Sequence, residues 1–255
     1  WYSLALEGFH LMADLFGEKE DSRWACQVNE RLKRAFHTKF WNGNFYISPH
    51  YKGKPDDRSQ ALAVITGILP ESAYPVIRPF FKQQYHASPY MEKYVLEALC
   101  MMGYYEDALE RMKKRYYDMV ESKLTTLWEG WGIGNKGYGG GSYNHAWSGG
   151  PLTILSHYFA GISPMKPAFK EFVINPVCNC FGEIHSITPT KWGKIELCLT
   201  NKLNVIVVEV KIPRKTKGHF IIPNGIEKYR INGKGKIAKK GIIVLKEGIW
   251  KIEFC

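Results

Sequence analysis

The stretch "SPYMEKYVLEALCMMGYYEDALERMKKRYYDMV" (Ser88–Val120) decides the fold class. Its first half spreads Met91, Tyr94, Val95, Ala98, Leu99 and Met102 over a broad apolar face at three- and four-residue spacing. Its second half, from Tyr105, is amphipathic with a basic, solvated side. The pattern predicts one more buried and one more exposed helix joined at Gly103, a helical hairpin. Repeated hairpins of this kind build an inner and an outer ring, the architecture of an α/α toroid.

Upstream the same period continues. "WYSLALEGFHLMADLF" (1–16) repeats Leu4, Leu11 and Leu15 with Ala5, Met12 and Phe16, and a second helix capped by Asp21 or Ser22 carries Trp24, Val28, Leu32, Ala35 and Phe36. "FWNGNFYISPH" (40–50) interrupts with an Asn-Gly turn, and further helices are expected at about 58–69, 73–83 and 151–159. This is roughly six or seven helices, fewer than the two per hairpin that a closed six-hairpin ring requires. After "GISPMKPAFKEFVINP" (161–176) the period falls to two. "KIELCLT", "NVIVVEVKIP", "HFIIP", "YRING", "GIIVLK" and "WKIEFC" read as short β-branched strands separated by Asn-Gly, Gly-Lys and Lys-Gly turns, a β-sandwich. The expected organisation is α+β and multidomain: residues 1–164 form part of an (α/α)6 six-hairpin toroid, and 165–255 form an all-β sandwich.

The 255 residues are 45% hydrophobic and 23% charged, a globular composition, with no apolar run long enough for a membrane span. The chain opens on Trp1, already inside a helical pattern, so it reads as the C-terminal portion of something longer, and the compartment stays open. Residues 165–255 hold 17 Lys and Arg against 7 Asp and Glu, which accounts for 10 of the net charge of +11. These lysines are scattered along alternating segments, as on solvated strand faces, so neither a nucleic-acid nor a membrane partner is expected. Six cysteines, with Cys178 and Cys180 as a lone C-x-C, suit isolated thiols better than a disulfide framework or a zinc site, and weakly favour a reducing compartment.

Next to the hairpin lies "TTLWEGWGIGNKGYGGGSYNHAWSGG" (125–150), too rich in glycine for a helix or strand and readable as a long functional loop. Glu129 stands between Trp128 and Trp131. Indole rings stack on the apolar faces of sugars, and a carboxylate beside them can accept hydroxyl hydrogen bonds or activate water. A glycosidase needs two carboxyl groups, in inverting enzymes roughly 6.5–9.5 Å apart, and one is visible here. Taken alone, Glu129 reads more readily as a loop cap and His145 as a histidine tying the loop to the next helix beside Asn144. "GYGGGS" lacks the Lys-Ser or Lys-Thr ending and preceding strand of a phosphate loop, and Ser148 lacks a G-x-S-x-G frame.

The ordered set "SPYMEKYVLEALCMMGYYEDALERMKKRYYDMVESKLTTLWEGW", "SYNHAWSGGPLTILSHYFAGISP" and "PAFKEFVINP", about residues 88–176, resembles the C-terminal half of bacterial α-L-rhamnosidases, glycoside hydrolase family 78. "QALAVITGILPE" upstream and "ITPTKWGKIELCLT" downstream extend the likeness. The resemblance implies a six-hairpin catalytic barrel followed by a C-terminal β-sandwich, and hydrolysis of terminal α-linked L-rhamnose with inversion, without metal or cofactor. It implies Glu129 as general base and His145 as a sugar contact, with Trp128 and Trp131 walling the pocket of a rhamnosylated substrate.

Gly130 departs from the family pattern, which commonly places Arg there. The family's general acid belongs to segments upstream of Trp1, so it is expected to be absent from these residues. The chain alone is then expected to be inactive, and to need the N-terminal half of the barrel or self-association to cover its terminal helices. Asn144 and Tyr143 are candidate donors that keep Glu129 ionised between two indoles. Two alternatives remain: a six-hairpin glycosidase for another terminal sugar, and a non-catalytic carbohydrate-binding module using Trp128, Trp131 and Tyr138. The bacterial cytoplasm and periplasm are both compatible with the residues.

Overall fold

The computed structural model describes residues 1–133, 141–202, 205–238 and 241–254. Tyr138 and the glycines at 134, 137, 139 and 140 lie outside the described residues. The chain divides into two compact units, Trp1–Gly150 and Pro151–Cys255.

The first unit is helical: α1 (Tyr2–Phe16), α2 (Lys19–Phe40), α3 (Asp57–Ile65), α4 (Tyr74–Gln83), α5 (Pro89–Met101) and α6 (Tyr105–Glu121). Helix α1 packs on α2, α3 on α4 and α5, and α5 on α6. The turns follow from glycine. Gly17 and Gly103 close α1 and α5 at φ of 81° and 82°, a left-handed conformation that releases the chain into the next helix. Ser88 caps α5, its hydroxyl accepting the Met91 N–H, and Pro89 follows at the first helical position.

Two sequence expectations change in this unit. Ser22 lies inside α2 rather than at its cap, and its hydroxyl meets His10 Nδ1 at 2.9 Å. The face of α1 buried against α2 is Ser3, Leu6 and Ala13, with Ser3 Oγ donating to Asn29 Oδ1 at 2.7 Å. Leu11, Met12, Leu15 and Phe16 are instead exposed, Leu15 by 77%, and Trp24 of α2 is exposed beside Phe9. A polar, small-residue seam brings the two helices together, and the apolar side of α1 faces outward.

Helix α6 is amphipathic as expected, yet one of its basic residues is central. Arg111 is buried and uses all five donors: Nε to Glu92 Oε1 (2.6 Å), Nη1 to the carbonyls of Phe81 (2.6 Å) and Gln84 (2.8 Å), Nη2 to Asp57 Oδ2 (2.6 Å) and Glu92 Oε2 (3.0 Å). It thereby ties together α3, the C-terminal end of α4, α5 and α6. Burial works against its charge, but the Glu92 hydrogen bond and the Glu92 and Asp57 carboxylates hold its pKa above the ordinary guanidinium range.

The second unit is a sandwich of two sheets. Strands β1 (Ile162–Pro164), β2 (Glu171–Ile174), β6 (Lys217–Ile221) and β9 (Ile242–Leu245) form the smaller, in the order β1-β2-β6-β9. Strands β3 (Glu183–Thr190), β4 (Gly193–Lys202), β5 (Val205–Ile212), β7 (Lys228–Ile231), β8 (Lys234–Ile237) and β10 (Gly248–Phe254) form the larger, in the order β3-β4-β5-β10-β7-β8. The β2–β6 pairing is parallel and the others are antiparallel. Alternation sends Phe172, Ile174, Phe220 and Leu245 from one sheet and Ile195, Leu197, Leu199, Val208, Val210, Ile252 and Phe254 from the other into a single apolar core. Asn232 and Gly233 both take positive φ, 48° and 77°, giving the tight hairpin between β7 and β8 that the Asn-Gly pair predicts. No disulfide joins the described cysteines, and burial pushes the Cys178 thiol up to about 11. No described helix is long and apolar enough to cross a membrane.

Candidate active site

After α6 the chain leaves helical structure, and its glycine-rich loop is built as two facing arms, residues 125–133 and 141–148. Glu129 N–H donates to Ser142 O (2.9 Å) and His145 N–H to Leu127 O (2.8 Å), so the arms run antiparallel. Gly132 (φ 72°) and Gly141 (φ 122°) supply the left-handed turns on either side of the intervening segment. The hydroxyl of Thr126 bonds to Tyr143 O and that of Ser148 to Trp128 O, fastening the arms further. This ladder brings Glu129 and His145 onto one short stretch of paired backbone although 16 positions separate them in the sequence.

Glu129 is half-buried and its Oε2 accepts the Ser142 N–H at 2.8 Å. Of the expected donors, Tyr143 directs its hydroxyl to Ile133 O (3.1 Å), and the backbone carbonyl of Asn144 accepts the Ser142 hydroxyl (3.3 Å). The ladder register adds the Ser142 N–H as a donor to Glu129.

The aromatic residues fall into two groups. Trp128 is buried and packs edge-on against Tyr143, with ring centroids 5.4 Å apart. Trp131 reaches toward α5 and α6. Its Nε1 donates to Ala87 O (2.7 Å), its ring meets Tyr116 edge-on (5.0 Å), and the Arg115 guanidinium lies 4.2 Å from its centroid. Trp128 and Trp131 share a small cavity of about 220 Å³ with Tyr85, Arg115 and Met119. His145 belongs to the other group, stacked on Trp147 at 4.1 Å and 28°. Trp147 also donates its indole N–H to Glu129 O at 3.0 Å and packs against Tyr90 of α5. Trp147, inside "NHAWSGG", has no role in the sequence reading, where its signal is an indole two residues after the histidine.

The loop is therefore anchored at the N-terminal end of α5 and the residues just before it. Ala87 O accepts Trp131 and also the Arg115 guanidinium, Pro89 O accepts Tyr116 Oη (3.1 Å), and Tyr90 carries Trp147. Among the described residues no cluster of three or more His, Cys, Asp or Glu could hold a metal.

Comparison with known proteins agrees with this architecture. Residues 1–159 match the bacterial α-L-rhamnosidase six-hairpin glycosidase domain, and residues 161–238 match the bacterial α-L-rhamnosidase C-terminal domain. The chain belongs to the bacterial α-L-rhamnosidase family. Solved members share the fold at low identity. The α-L-rhamnosidase from Dictyoglumus thermophilum superposes with a TM-score of 0.81 at 20% identity, over 96% of this chain and 30% of its own. The Streptomyces avermitilis α-L-rhamnosidase complexed with L-rhamnose gives 0.78 at 17% identity, over 98% and 26%. The enzyme from Aspergillus terreus gives 0.73 at 16% identity, over 95% and 29%. The chain thus spans about a third or less of the rhamnosidases it matches. No curated protein sequence matches it. As in the family, partial six-hairpin helices precede a β-sandwich.

Proposed function

We propose that these residues carry the base side of an inverting α-L-rhamnosidase site, acting on terminal α-linked L-rhamnose of a rhamnosylated glycoside. The observation that carries the reading is the ladder that pairs the loop arms bearing Glu129 and His145. Glu129 Oε2 is held by the Ser142 N–H, and Oε1 takes the proton of the water that attacks the anomeric carbon. His145 holds a sugar hydroxyl. Trp128, Trp131 and Asn144 line the approach as lesser contacts. The general acid comes from outside these residues, so the 255-residue chain alone is inactive, and the exposed side of α1 is an interface. In this reading residues 1–164 are the helical catalytic part and 165–255 the sandwich, a division that limited proteolysis near Pro164–Pro167 tests.

The reading is tested with an aryl α-L-rhamnoside and the complete product of the gene that encodes these residues. Removing a general base costs about 10²–10⁴-fold in rate, so Glu129→Gln falls to that level with the fold intact, and His145→Ala loses apparent affinity. Undiminished hydrolysis by Glu129→Gln contradicts the assignment. A different terminal sugar at the same site is the second reading. Gly130, small and buried beside the base, favours it, and a panel of aryl glycosides decides between the two.

A further inference from the structure

Trp147 touches both residues on which the proposed function rests, and it does so with three separate groups. Its backbone N–H approaches His145 Nδ1 (3.4 Å), its indole stacks on the His145 ring (4.1 Å, 28°), and its indole N–H donates to the Glu129 carbonyl (3.0 Å). The indole also packs against Tyr90 on the first turn of α5, with centroids 5.5 Å apart at 39°. Tyr90 in turn meets Tyr94 one helical turn on, edge to face at 5.9 Å. A chain of aromatic contacts therefore runs from the buried helix α5 through Trp147 to His145, with a hydrogen-bonded branch to the backbone of Glu129.

We propose that Trp147 is a positioning residue that fixes the separation and orientation of the Glu129 carboxylate relative to the His145 imidazole. An exposed indole beside a sugar site would ordinarily be read as a stacking platform. Here its N–H is committed to Glu129, and its ring to His145 and Tyr90. The contact with Nδ1 also places the His145 lone pair on that nitrogen, so the neutral ring presents Nε2–H as a donor. The account rests on the reading of Glu129 as base and His145 as sugar contact. It adds that their geometry is held by a third side chain, itself referenced to α5.

The test uses the complete gene product and an aryl α-L-rhamnoside, with Trp147→Ala, Trp147→Phe and Glu129→Gln assayed together. A misplacement of about 1 Å costs roughly 100-fold, so Trp147→Ala loses that much in kcat while KM stays within about 3-fold, the signature of lost transition-state geometry. Trp147→Phe keeps the ring contacts and drops only the N–H, and it recovers about 10-fold of that loss. It also serves as the folding control should Trp147→Ala not be recovered. Either of two results overturns the inference: kcat within about 3-fold of wild type in both variants, or a raised KM at unchanged kcat, which makes Trp147 a sugar platform. If Glu129→Gln is inactive while the Trp147 variants are normal, this inference alone fails. If Glu129→Gln remains active, the underlying reading fails and takes the inference with it.

Discussion

The two units solve the same problem of burial in opposite ways. The sandwich has an apolar interior, with Phe172, Phe220, Leu245, Ile252 and Phe254 at its centre, and keeps ion pairs such as Lys211–Glu196 (2.8 Å) and Lys166–Glu171 (2.7 Å) near its surface. The helical unit buries Asp57, Gln60, Glu92 and Arg111 among its apolar residues and joins three of them through one guanidinium. An apolar core is tolerant of register and needs only volume. A buried charge hub tolerates one arrangement, because each unpaired member carries its full desolvation cost. The helical unit also has the loop that needs placing: Arg115, beside the hub at 3.5 Å from Glu92, reaches Ala87 O and the Trp131 ring. Burial and the neighbouring Arg111 charge lower the Arg115 pKa, against the pull of Glu92 and Asp57. The hub thus connects helix packing to the base of the candidate site.

Substitutions can break this comparison at different strengths. Arg111→Ala takes from the buried Asp57 its guanidinium partner and leaves Glu92 only Arg115, destabilising the helical unit by about 3–5 kcal/mol, read by urea unfolding followed at unit-specific probes. A loss below about 1 kcal/mol would show that the hub is not rigid or not dry. Phe220→Ala, the counterpart in the sandwich, costs about 3–5 kcal/mol through cavity formation and leaves loop-site kinetics in the complete gene product unchanged, whereas Arg111→Ala impairs them. On the exposed side of α1, Leu11→Lys with Leu15→Lys shifts the 255-residue chain toward monomer in light scattering. A monodisperse wild-type monomer would contradict the assignment of that face as an interface. Lys211→Ala, at a solvated pair, changes stability by only about 0–1 kcal/mol.

The smallest effect concerns pH. Hydrogen bonds from Lys166 and then His219 hold the Glu171 carboxyl below the usual carboxylate range, with burial opposing and Lys217 assisting. A depressed carboxylate contributes stability that is present above its unfolded pKa and is lost as pH falls through the folded value. Glu171→Gln therefore removes a small stabilisation on the neutral side and converges with the wild type at low pH, which flattens the sandwich's stability profile between the two.

What could be read in advance follows from how local the signal is. The change of period after the segment 161–176 is local, and it separates the helices upstream from most of the strands, though β1 and β2 already lie within that segment. The strands β1 and β3 escaped because Pro164 and Pro189 break the β pattern; β3 carries its proline at the edge of the larger sheet, where a missing donor is tolerated. Strand β8, "KGKI", is exposed at every position and has no alternation to detect. Arg111 looked like one more solvated base on α6, because its partners lie 19 to 54 residues away. The candidates Glu129 and His145 could be singled out because they sit in a single unusual segment, and the structure sets both on paired arms of one loop. The roles of Ser142 and Trp147 were not legible, since they depend on the register between two arms that only the fold sets.

The most direct test of the central claim, that Glu129 is the general base of an inverting site, is azide rescue. Glu129→Ala in the complete gene product, given an aryl α-L-rhamnoside and sodium azide, leaves room for azide to attack where water is normally activated. The account predicts recovery of aryl release and formation of β-L-rhamnosyl azide, identified by proton NMR. Release without any glycosyl azide, or formation of the α-azide, would contradict it.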